Sequence, residues 1–557
     1  MDGSRAQKMS GRITTGMALG SLWILGTIAA CKPNPPDYPH GEDPSAMPSG
    51  VDASSGMNVA PGSSGQMAAV KSPAISPASL SSREILPDWT SPRAALVFTG
   101  DVHGYLEPCG CAEKQSGGFA RRGGLIQILK ENRKWPVTAL DVGGSLNESR
   151  ITYPQTRIKF DTMLRGLNQL GYQGQALGKE ELLLGAQELY TEFTQVSSEE
   201  NFHVPFLSAN TTIFGSKDLG TPVNTRIVTA GNLKVGIAAI AGNSVRQELD
   251  HAGVTRDANE LQVEDPRKIL PTVIEQLKSE KPDLFVLLSA ATMEESEALA
   301  REFPVFQIVV TSGSVEDPRS EPVYIGESLL VQVGKKGKNA AVVGVYPENK
   351  LKYAVLELDQ ERFPELPAMH DLMKDYQERL KAAWPELTAQ KLSDPDGRQF
   401  VGAQSCKKCH TYAYGVWSQS KHAHALESLK KGRPGQEATW INRTWDPECL
   451  ACHTTGWDAQ KAIRYQSGFI DETQTPLLAG QQCENCHGAG SEHVSLETEW
   501  KRGTPVSPEM KQARSAMQLT LTRARAEVCL RCHDGDNSPH FDFDKYWPKV
   551  NHTGRKD

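Results

Sequence analysis

From Ala94 onward, short apolar runs typical of β-strands alternate with longer segments in which apolar residues recur at helical spacing. The short runs predict strands at 95–100, 137–142, 234–242, 284–289, 306–311, 328–333 and 340–346. The longer segments predict helices at 123–133 and near 157–170, 267–278 and 293–302. Because strands and helices alternate, we expect a layered α/β domain over 93–348. The following segment, 349–395, is predicted to add one strand and a helix as a connection.

The last part of the chain, 396–557, has a different pattern. It has few strand-like runs and is rich in Cys, His, Trp and Gly. We therefore expect a second domain that is mainly helical and rich in loops, which makes the protein multidomain.

The chain begins with a pattern typical of an export signal. Basic residues precede a mostly apolar run, 13–30, that ends in small residues before Cys31. This predicts a signal peptide over 1–31, and the cysteine resembles a bacterial lipobox, which implies that Cys31 is lipidated. The alternative is an uncleaved membrane anchor. Both hypotheses place the rest of the chain outside the cytoplasm, as a periplasmic or cell-surface lipoprotein, and Lys32 favours the outer membrane.

Residues 32–92 hold 11 of the chain's 34 prolines, together with many Ser, Gly and Ala residues. They show no sustained apolar periodicity. Such a segment cannot bury enough surface to offset its chain entropy. We interpret it as a disordered tether between the membrane and the α/β domain.

Charge and cysteine content narrow the function. The chain has 60 basic and 67 acidic side chains, a formal net charge of -7, so it lacks the basic excess that a nucleic-acid binder needs. Of its 11 cysteines, Cys31, Cys109 and Cys111 stand apart and eight fall in four C-x-x-C-H strings. None remains for a conventional disulfide framework.

The four strings all lie in the last domain. They read Cys406-Lys407-Lys408-Cys409-His410, Cys449-Leu450-Ala451-Cys452-His453, Cys483-Glu484-Asn485-Cys486-His487 and Cys529-Leu530-Arg531-Cys532-His533. Two thiols three positions apart can form thioethers with the vinyl groups of haem, and the adjacent His supplies the proximal iron ligand. A zinc site would more often pair two C-x-x-C units without the trailing His. The strings therefore predict four covalently attached haem c groups.

Distal iron ligands should come from the other histidines of this domain. Beyond Phe400 these are His422, His424, His493, His540 and His552. With four haem groups, little polypeptide is left for a protein-only core, so the haem groups are expected to stack, which suits electron transfer. Two His ligands favour electron transfer, whereas an open axial position permits small-molecule binding.

This region resembles the tetrahaem cytochrome family that accepts electrons from hydroxylamine oxidoreductase. The resemblance covers about 398–557 and rests on FVGAQSCKKCH with WSQSKHAHA, CLACHTTGW, QQCENCHGAGSEHV and CLRCHDGDNSPHFDFDKYWPKVNH. It implies that His422 and His493 are distal ligands, with His552 as a third choice. His424 and His540 are interpreted as surface residues or neighbours of a ligand. The family often keeps one haem five-coordinate, and the sequence leaves open which one.

The α/β region resembles the 5′-nucleotidase branch of the calcineurin-like metallophosphatases. The resemblance covers about 94–348 and rests on TGDVHGYLEP, GGFARRGGLIQIL, LDVGGSL, FLSAN, KVGIAAIAG and KPDLFVLLS. It implies that Asp101 and His103 match the Asp-x-His that opens the two-metal site of that family.

The other metal ligands of that family are missing. The corresponding positions are Gly144, Lys179, Glu180, Ala290 and 311–314. Gly144 has no side chain to bridge two ions, and Lys179 places a positive charge where a cation should sit. Because two-metal hydrolysis needs both ions held about 3.5–4 Å apart, Asp101 and His103 form at most a vestigial site. We expect no ordinary nucleotidase activity.

Cys109 and Cys111 follow His103 closely as a Cys-Gly-Cys string. In one hypothesis they join Asp101 and His103 in a site for zinc or another divalent ion. In a second, they are a redox pair that forms a strained, labile disulfide. Arginines at 121–122 would lower the thiol pKa if they lay close, although each is expected on the surface. The third hypothesis is an inert pair.

The sequence thus predicts an exported, membrane-tethered multihaem cytochrome that carries electrons in the cell envelope. Its expected partners are redox proteins of the envelope and the membrane, through the lipid anchor, and not nucleic acid. One alternative is a redox enzyme that acts on a small oxidised substrate at an open haem or at the Cys-Gly-Cys cluster. A second is a residual metal-dependent phosphoesterase.

Overall fold

A computed structural model of the chain describes residues 85–108, 115–313, 315–432, 435 and 437–553. The predictions for Cys31, for the tether up to residue 84, and for Cys109 and Cys111 lie outside the described residues.

Sixteen strands are formed by the described residues. They are β1 Ala94–Thr99, β2 Val137–Asp141, β3 Tyr172–Ala176, β4 Phe206–Leu207, β5 Thr211–Ile213, β6 Thr225–Ala230, β7 Leu233–Ala241, β8 Leu261–Val263, β9 Leu284–Ala290, β10 Ile308–Thr311, β11 Val323–Ile325, β12 Ser328–Gln332, β13 Asn339–Val345, β14 Leu351–Glu357, β15 Trp457–Asp458 and β16 Ile463–Arg464.

Eighteen α-helices are formed by the same residues. They are α1 Phe119–Gln127, α2 Pro154–Gln169, α3 Lys179–Leu183, α4 Ala186–Ser197, α5 Asn243–Ala252, α6 Pro266–Ser279, α7 Met293–Glu302, α8 Pro367–Ala382, α9 Trp384–Ala389, α10 Ala403–Lys407, α11 Thr411–Ser418, α12 Ala425–Lys431, α13 Pro447–His453, α14 Cys483–His487, α15 Ser491–Glu499, α16 Pro508–Ala516, α17 Leu521–Arg523 and α18 Phe543–Tyr546. None of these helices combines the length and the apolar character needed to cross a bilayer.

Two six-stranded sheets pack face to face. The first has the order β14-β13-β1-β2-β3-β4 and the second β11-β12-β10-β9-β7-β6. In the first sheet β1, β2, β3 and β4 run parallel, β13 pairs antiparallel with β1, and β14 pairs antiparallel with β13. In the second sheet β7, β9, β10 and β12 run parallel, and β6 and β11 are antiparallel strands at the two edges. Apolar side chains from both sheets, such as Phe98 and Ile237, form the core between them.

Helices cover the two outer faces of this sandwich. Leucines and methionines of α1, α2 and α8 pack on the first sheet, and α6 and α7 pack on the second. This arrangement confirms the predicted layered α/β fold. We call the part formed by β1–β14 and α1–α9 the body, and the described residues 396–553 the tail.

The body extends beyond both predicted limits of the α/β domain. Before residue 93, Trp89 stacks on Trp135 with ring centres 6.1 Å apart, and Arg133 donates to the carbonyl oxygen of Ile85. Beyond residue 348, β14 extends the first sheet through β13. The sequence had placed these residues in the tether and in the connecting segment.

The tail is a set of short helices and turns with a single two-stranded ribbon, β15–β16, among its described residues. It shares one apolar core with the outer face of the first sheet, which includes Leu450, Trp457 and Phe469 of the tail. Trp384 of the body contacts Trp445 and Trp457, with ring centres 5.4 Å and 6.4 Å apart. A tail that is mainly helical and rich in loops agrees with the prediction.

Candidate functional site

Each C-x-x-C-H string forms a single tight turn. The backbone N–H of His410 donates to the carbonyl oxygen of Cys406 at 2.9 Å, and that of His533 donates to Cys529 at 2.9 Å. The strings lie in or beside α10, α13, α14 and a short 3₁₀ turn at Cys529–Arg531. Because one helical turn spans 3.6 residues, each turn brings its two thiols and its His to one side of the backbone.

Three of these histidines face a second histidine from elsewhere in the tail. The ring centres are 6.3 Å apart for His410 and His493, with the rings nearly parallel. They are 6.1 Å apart for His533 and His422. The third pair, at 5.9 Å, is His487 with His552.

These separations fit a haem iron between the two rings of each pair. Two imidazoles bound to opposite sides of one metal ion, each by a bond of about 2 Å, have ring centres roughly 6 Å apart. The second histidines are the three that the sequence resemblance implies as distal ligands. His424 and His540 are exposed.

Backbone carbonyl oxygens orient two of the string histidines. Nδ1 of His453 lies 2.8 Å from the carbonyl oxygen of Ala425, and Nδ1 of His487 lies 2.7 Å from that of Met517. A carbonyl oxygen only accepts, so Nδ1–H donates in both cases. This leaves Nε2 with the lone pair that binds a metal, as in other metal-binding histidines.

Hydrogen bonds link the strings in a fixed order. Glu484 of the third string binds the segment that leads into the first. Nε2 of Gln481, two residues before the third string, lies 3.7 Å from Sγ of Cys532 in the fourth. The side chain of Gln460, which follows the second string, donates to the carbonyl oxygen of Arg531 in the fourth. In space, therefore, the strings follow one another as first, third, fourth and second.

A buried carboxylate that the sequence analysis missed holds the first and third strings together. Glu484, inside the third string, is 2 % exposed. It accepts hydrogen bonds from the backbone N–H groups of Val401 and Gly402, which lead into α10, and of Gly490. Burial raises the pKa of Glu484, although these N–H groups oppose that shift. Its position inside a predicted haem string was the signal that could have drawn attention to it.

In the body, Asp101 and His103 follow β1 at the carboxyl edge of the first sheet. Their side chains lie 3.8 Å apart, between Oδ1 and Nε2. Nδ1 of His103 is 3.8 Å from Oε1 of Glu180 at the start of α3. No group of three or more His, Cys, Asp or Glu side chains suited to a metal ion occurs among the described residues. The zinc hypothesis depends on Cys109 and Cys111, which are not among them.

Close backbone packing explains how the bridging position was lost. The backbone N–H groups of Asp101 and His103 donate to the carbonyl oxygens of Gly143 and Gly144, at 2.7 Å and 2.9 Å. A Cβ atom on Gly144 would lie 2.6 Å from Oδ1 of Asp101, and the φ of Gly144 is +76°. The two loops therefore leave no room for a side chain at residue 144.

Replacing Gly144 with Asp is expected to restore no hydrolase activity. The variant should lose about 1–3 kcal/mol of unfolding free energy, because the new side chain collides with Asp101 and adopts a strained φ. Manganese-dependent hydrolysis of p-nitrophenyl phosphate and urea unfolding measure both effects. Gly215→Asp is the matched control, because Gly215 also has a positive φ, +64°, but has open space around it. Phosphoesterase activity in the Gly144→Asp variant would contradict this interpretation.

Two further residues at this edge, Lys179 and Glu181, have structural partners. Lys179 forms ion pairs with Glu148 and Glu248, at 2.8 Å and 3.0 Å. The buried carboxylate of Glu181 accepts hydrogen bonds from the backbone N–H groups of Gly144, Ser145 and Gly178. Lys179 and Glu181 thus stabilise the loops at the carboxyl edge of the first sheet through ion pairs and hydrogen bonds.

Burial favours the neutral forms of His103 and Glu180, which lie beside this edge. It lowers the pKa of His103 to about 4, with help from Lys335, Lys336 and Lys179. It also raises the pKa of Glu180 to about 7, where the charge of Glu181 adds to the effect.

Replacing Glu180 with Gln should stabilise the protein at high pH only. The folded state binds the proton of Glu180 more tightly than the unfolded chain does. Protonated Glu180 therefore contributes its full stability below the ordinary pKa of a glutamate, and this contribution is lost as pH rises through about 7. The variant should therefore gain about 2–3 kcal/mol of unfolding free energy at pH 8 and almost nothing at pH 4. Urea unfolding at the two pH values measures this, and an equal change at both would contradict it.

Arg121 and Arg122 are buried, which corrects the expectation that each lies on the surface. Their exposed fractions are 7 % and 1 %. Arg121 hydrogen-bonds the carbonyl oxygen of Gln115. Nη1 of Arg122 lies 3.5 Å from Oδ2 of Asp141, a carboxylate at the end of β2 that is itself 1 % exposed.

The tail is fixed to the same edge of the body by ion pairs. Nζ of Lys159 donates to the carbonyl oxygen of Gly104, at 2.7 Å, and to Glu448, at 2.6 Å. Arg150 binds the other oxygen of Glu448 at 2.5 Å. Glu448 directly precedes Cys449, so these contacts hold the second string against the body.

Beyond the fourth string, a second group of contacts fixes the tail. Asp536 pairs with Lys336 and with Lys338, and its carbonyl oxygen accepts from the side chain of Gln115. The backbone N–H of Lys336 in turn donates to the carbonyl oxygen of Asp101. Both groups of contacts therefore end within a few residues of the Asp-x-His element.

Known proteins match the tail by sequence. Residues 405–488 match the family described as cytochrome c554 and c-prime. Cytochrome c-554 of Nitrosomonas europaea is 29 % identical over 144 residues, which are 24 % of this chain and 57 % of that protein. The chain thus spans less than two thirds of this relative's length. The matches confirm the predicted resemblance and support covalently bound haem c in the tail.

Solved structures resemble the chain mainly through α/β enzymes. The sulfate thiohydrolase SoxB of Thermus thermophilus has a TM-score of 0.43 at 16 % identity, over 53 % of this chain and 62 % of that one. A 5′-nucleotidase precursor from Thermus thermophilus has a TM-score of 0.44 at 19 % identity, over 60 % and 68 %. The calcineurin-like phosphoesterase YfkN of Bacillus subtilis has 0.42 at 15 %, over 51 % and 97 %.

The sequence comparisons thus describe a tail that is similar to cytochromes of the c554 type.

Proposed function

We propose that this protein is an exported, membrane-tethered cytochrome that carries electrons in the cell envelope on four covalently attached haem c groups. The observation that carries the proposal is the presence of three histidine pairs with ring centres 5.9–6.3 Å apart. When bound, haem accepts and donates single electrons, and ligation by two histidines favours that use over substrate binding.

The residues that would hold the haem groups are those of the four strings. The thioether positions are Cys406, Cys409, Cys449, Cys452, Cys483, Cys486, Cys529 and Cys532, and the proximal ligands are His410, His453, His487 and His533. The distal ligands would be His493 for the first string, His552 for the third and His422 for the fourth. The second string keeps His453 as its proximal ligand, and no distal ligand is assigned to it.

The spatial order of the strings supports a role as a carrier. Hydrogen bonds join neighbouring strings in the order first, third, fourth and second. A continuous series of this kind links two ends of the tail, which a single-site enzyme would not need.

We further propose that the body has lost hydrolase activity and now supports the tail. The lack of space at Gly144 and the ion pairs of Lys179 support this, because two metal ions have neither a bridging carboxylate nor an uncharged position to occupy. The ion pairs of Glu448 and Asp536 with lysines of the body support this structural role, because they hold the tail against the carboxyl edge of the first sheet.

For location and partners, the proposal rests on the sequence. A signal peptide and lipidated Cys31 would tether the protein to a bacterial membrane, and redox proteins of the envelope would be its partners. Covalent haem attachment outside the cytoplasm agrees with this. Replacing Cys31 with Ala is expected to move the protein from the membrane fraction to the soluble fraction, which immunoblotting of fractionated cells measures. Retention in the membrane would favour the uncleaved anchor.

The test of the proposed function is a haem count on the full chain, expressed with the machinery for haem attachment. Intact mass, iron analysis and a reduced-minus-oxidised titration should all give four haem groups with low-spin spectra for the three paired sites. Fewer than three haem groups, or another metal in the strings, would contradict the proposal. Carbon monoxide binding at the paired sites would instead favour the redox-enzyme alternative.

A further inference from the structure

The two ends of the string series differ in what covers them. At the second string, Leu450 and Ala451 are 0 % and 1 % exposed, and the preceding Glu448 is held by Lys159 and Arg150 of the body. The body therefore covers one side of this string.

The first string, at the other end, lies open. Lys407 and Lys408, which lie between its two cysteines, are exposed. An approaching protein can therefore contact both lysines.

The open end carries positive charge in a chain that is negative overall. Residues 398–426 contain four basic side chains and no acidic one, although the whole chain has a net charge of -7. Among the described carboxylates, none forms an ion pair with Lys407 or Lys408. Glu497, on the helix that carries His493, is neutralised by Arg514. Of the four basic side chains, Arg398 pairs with Asp396, and Nζ of Lys407 lies 4.9 Å from the ring centre of Tyr414, a contact that does not neutralise its charge. The two lysines of the string therefore present positive charge to an incoming molecule.

We propose that the first string and its two lysines form the docking surface for an acidic redox protein, which exchanges electrons with the chain at this end. The inference rests on the proposed function and names its partner class. Charge complementarity steers such encounters and makes their rates fall steeply with ionic strength. Anionic lipid is the competing occupant of a basic surface, and the experiment separates the two.

The test uses the haem-loaded full chain and flavodoxin, an acidic one-electron carrier, as the probe. Calorimetric binding and stopped-flow reduction by flavodoxin hydroquinone are both measured against ionic strength. In Lys407→Glu/Lys408→Glu, affinity and rate should fall by about tenfold or more, and most of the salt dependence should disappear. Reduction by dithionite, a small reagent, should remain unchanged.

One control matches the charge reversal. Lys268→Glu/Lys278→Glu changes the same number of exposed charges on α6, at the far face of the second sheet, and should have little effect. An equal loss in this control would overturn the proposal, because it would show a response to net charge alone.

The remaining outcomes are also decisive. If unmodified protein binds flavodoxin without salt dependence, or not at all, the docking surface is wrong even where the double variant fails to fold. If the double variant loses binding to phosphatidylglycerol vesicles but keeps its flavodoxin affinity, the surface serves the membrane and the proposal falls. A chain without haem, or one that dithionite cannot reduce, would overturn the proposed function as well.

Discussion

Replacing Cys483 and Cys486 of the third string with alanine is expected to remove one haem and to divide the series of carriers. The third string lies between the first and the fourth, because Glu484 binds the segment that leads into the first string and Gln481 lies beside Cys532 of the fourth. Intact mass should fall by one haem, and the fourth and second strings should be reduced more slowly than the first when flavodoxin hydroquinone is the donor. Stopped-flow spectroscopy resolves the two phases.

The matched control is the same double replacement in the second string, Cys449→Ala and Cys452→Ala. This variant also loses one haem, but the second string ends the series, so the remaining three should still be reduced together. If the two variants behaved alike, the spatial order of the strings would not determine the path of the electrons.

Replacing Arg122 with Met is expected to destabilise the body by about 3–5 kcal/mol, because it leaves a buried carboxylate without its cation. Asp141 is 1 % exposed and sits beside Thr99, whose hydroxyl donates to it at 2.7 Å. Burial raises the pKa of Asp141, and Arg122 is the largest influence that opposes this. Urea unfolding followed by tryptophan fluorescence measures the loss.

Two further variants show whether the pair itself is responsible. Arg122→Met combined with Asp141→Asn should recover most of the stability, since neither charge then remains buried. Arg121→Met should cost less, because the carboxylate partner of Arg121, Glu365, has a side chain that is 63 % exposed. A loss in Arg121→Met as large as that in Arg122→Met would contradict a special role for the buried pair.

Local sequence was sufficient to predict the apolar strands, several helices and the haem-binding strings. The strand predicted at 284–289 is found at Leu284–Ala290, and the helix predicted at 293–302 is found at those residues. A buried parallel strand is a continuous apolar run, so its signal is contained in the strand itself. The polar strand Tyr172–Ala176 lacks such a run, and the sequence analysis missed it.

The sequence did not predict the buried environment of Arg122. Arg122 lies on α1, where a charged residue usually indicates a solvated face. Its burial depends on Asp141 at the end of β2 and on the ring of Phe119, 4.5 Å from the guanidinium carbon. A charged side chain is buried only where folding brings an opposite charge beside it. Here the two charges come from separate elements, α1 and β2, so neither local sequence predicts the pair.

The sequence by itself determined the class of this protein, because each C-x-x-C-H string is complete within five residues and an α/β pattern is complete within each run. The tertiary structure was needed to show which histidine faces which string and which end of the series packs against the body. His422 illustrates the difference, since it follows the first string in sequence but lies beside His533 of the fourth. Pairings of this kind depend on the path of the chain between the partners, and no local pattern records that path.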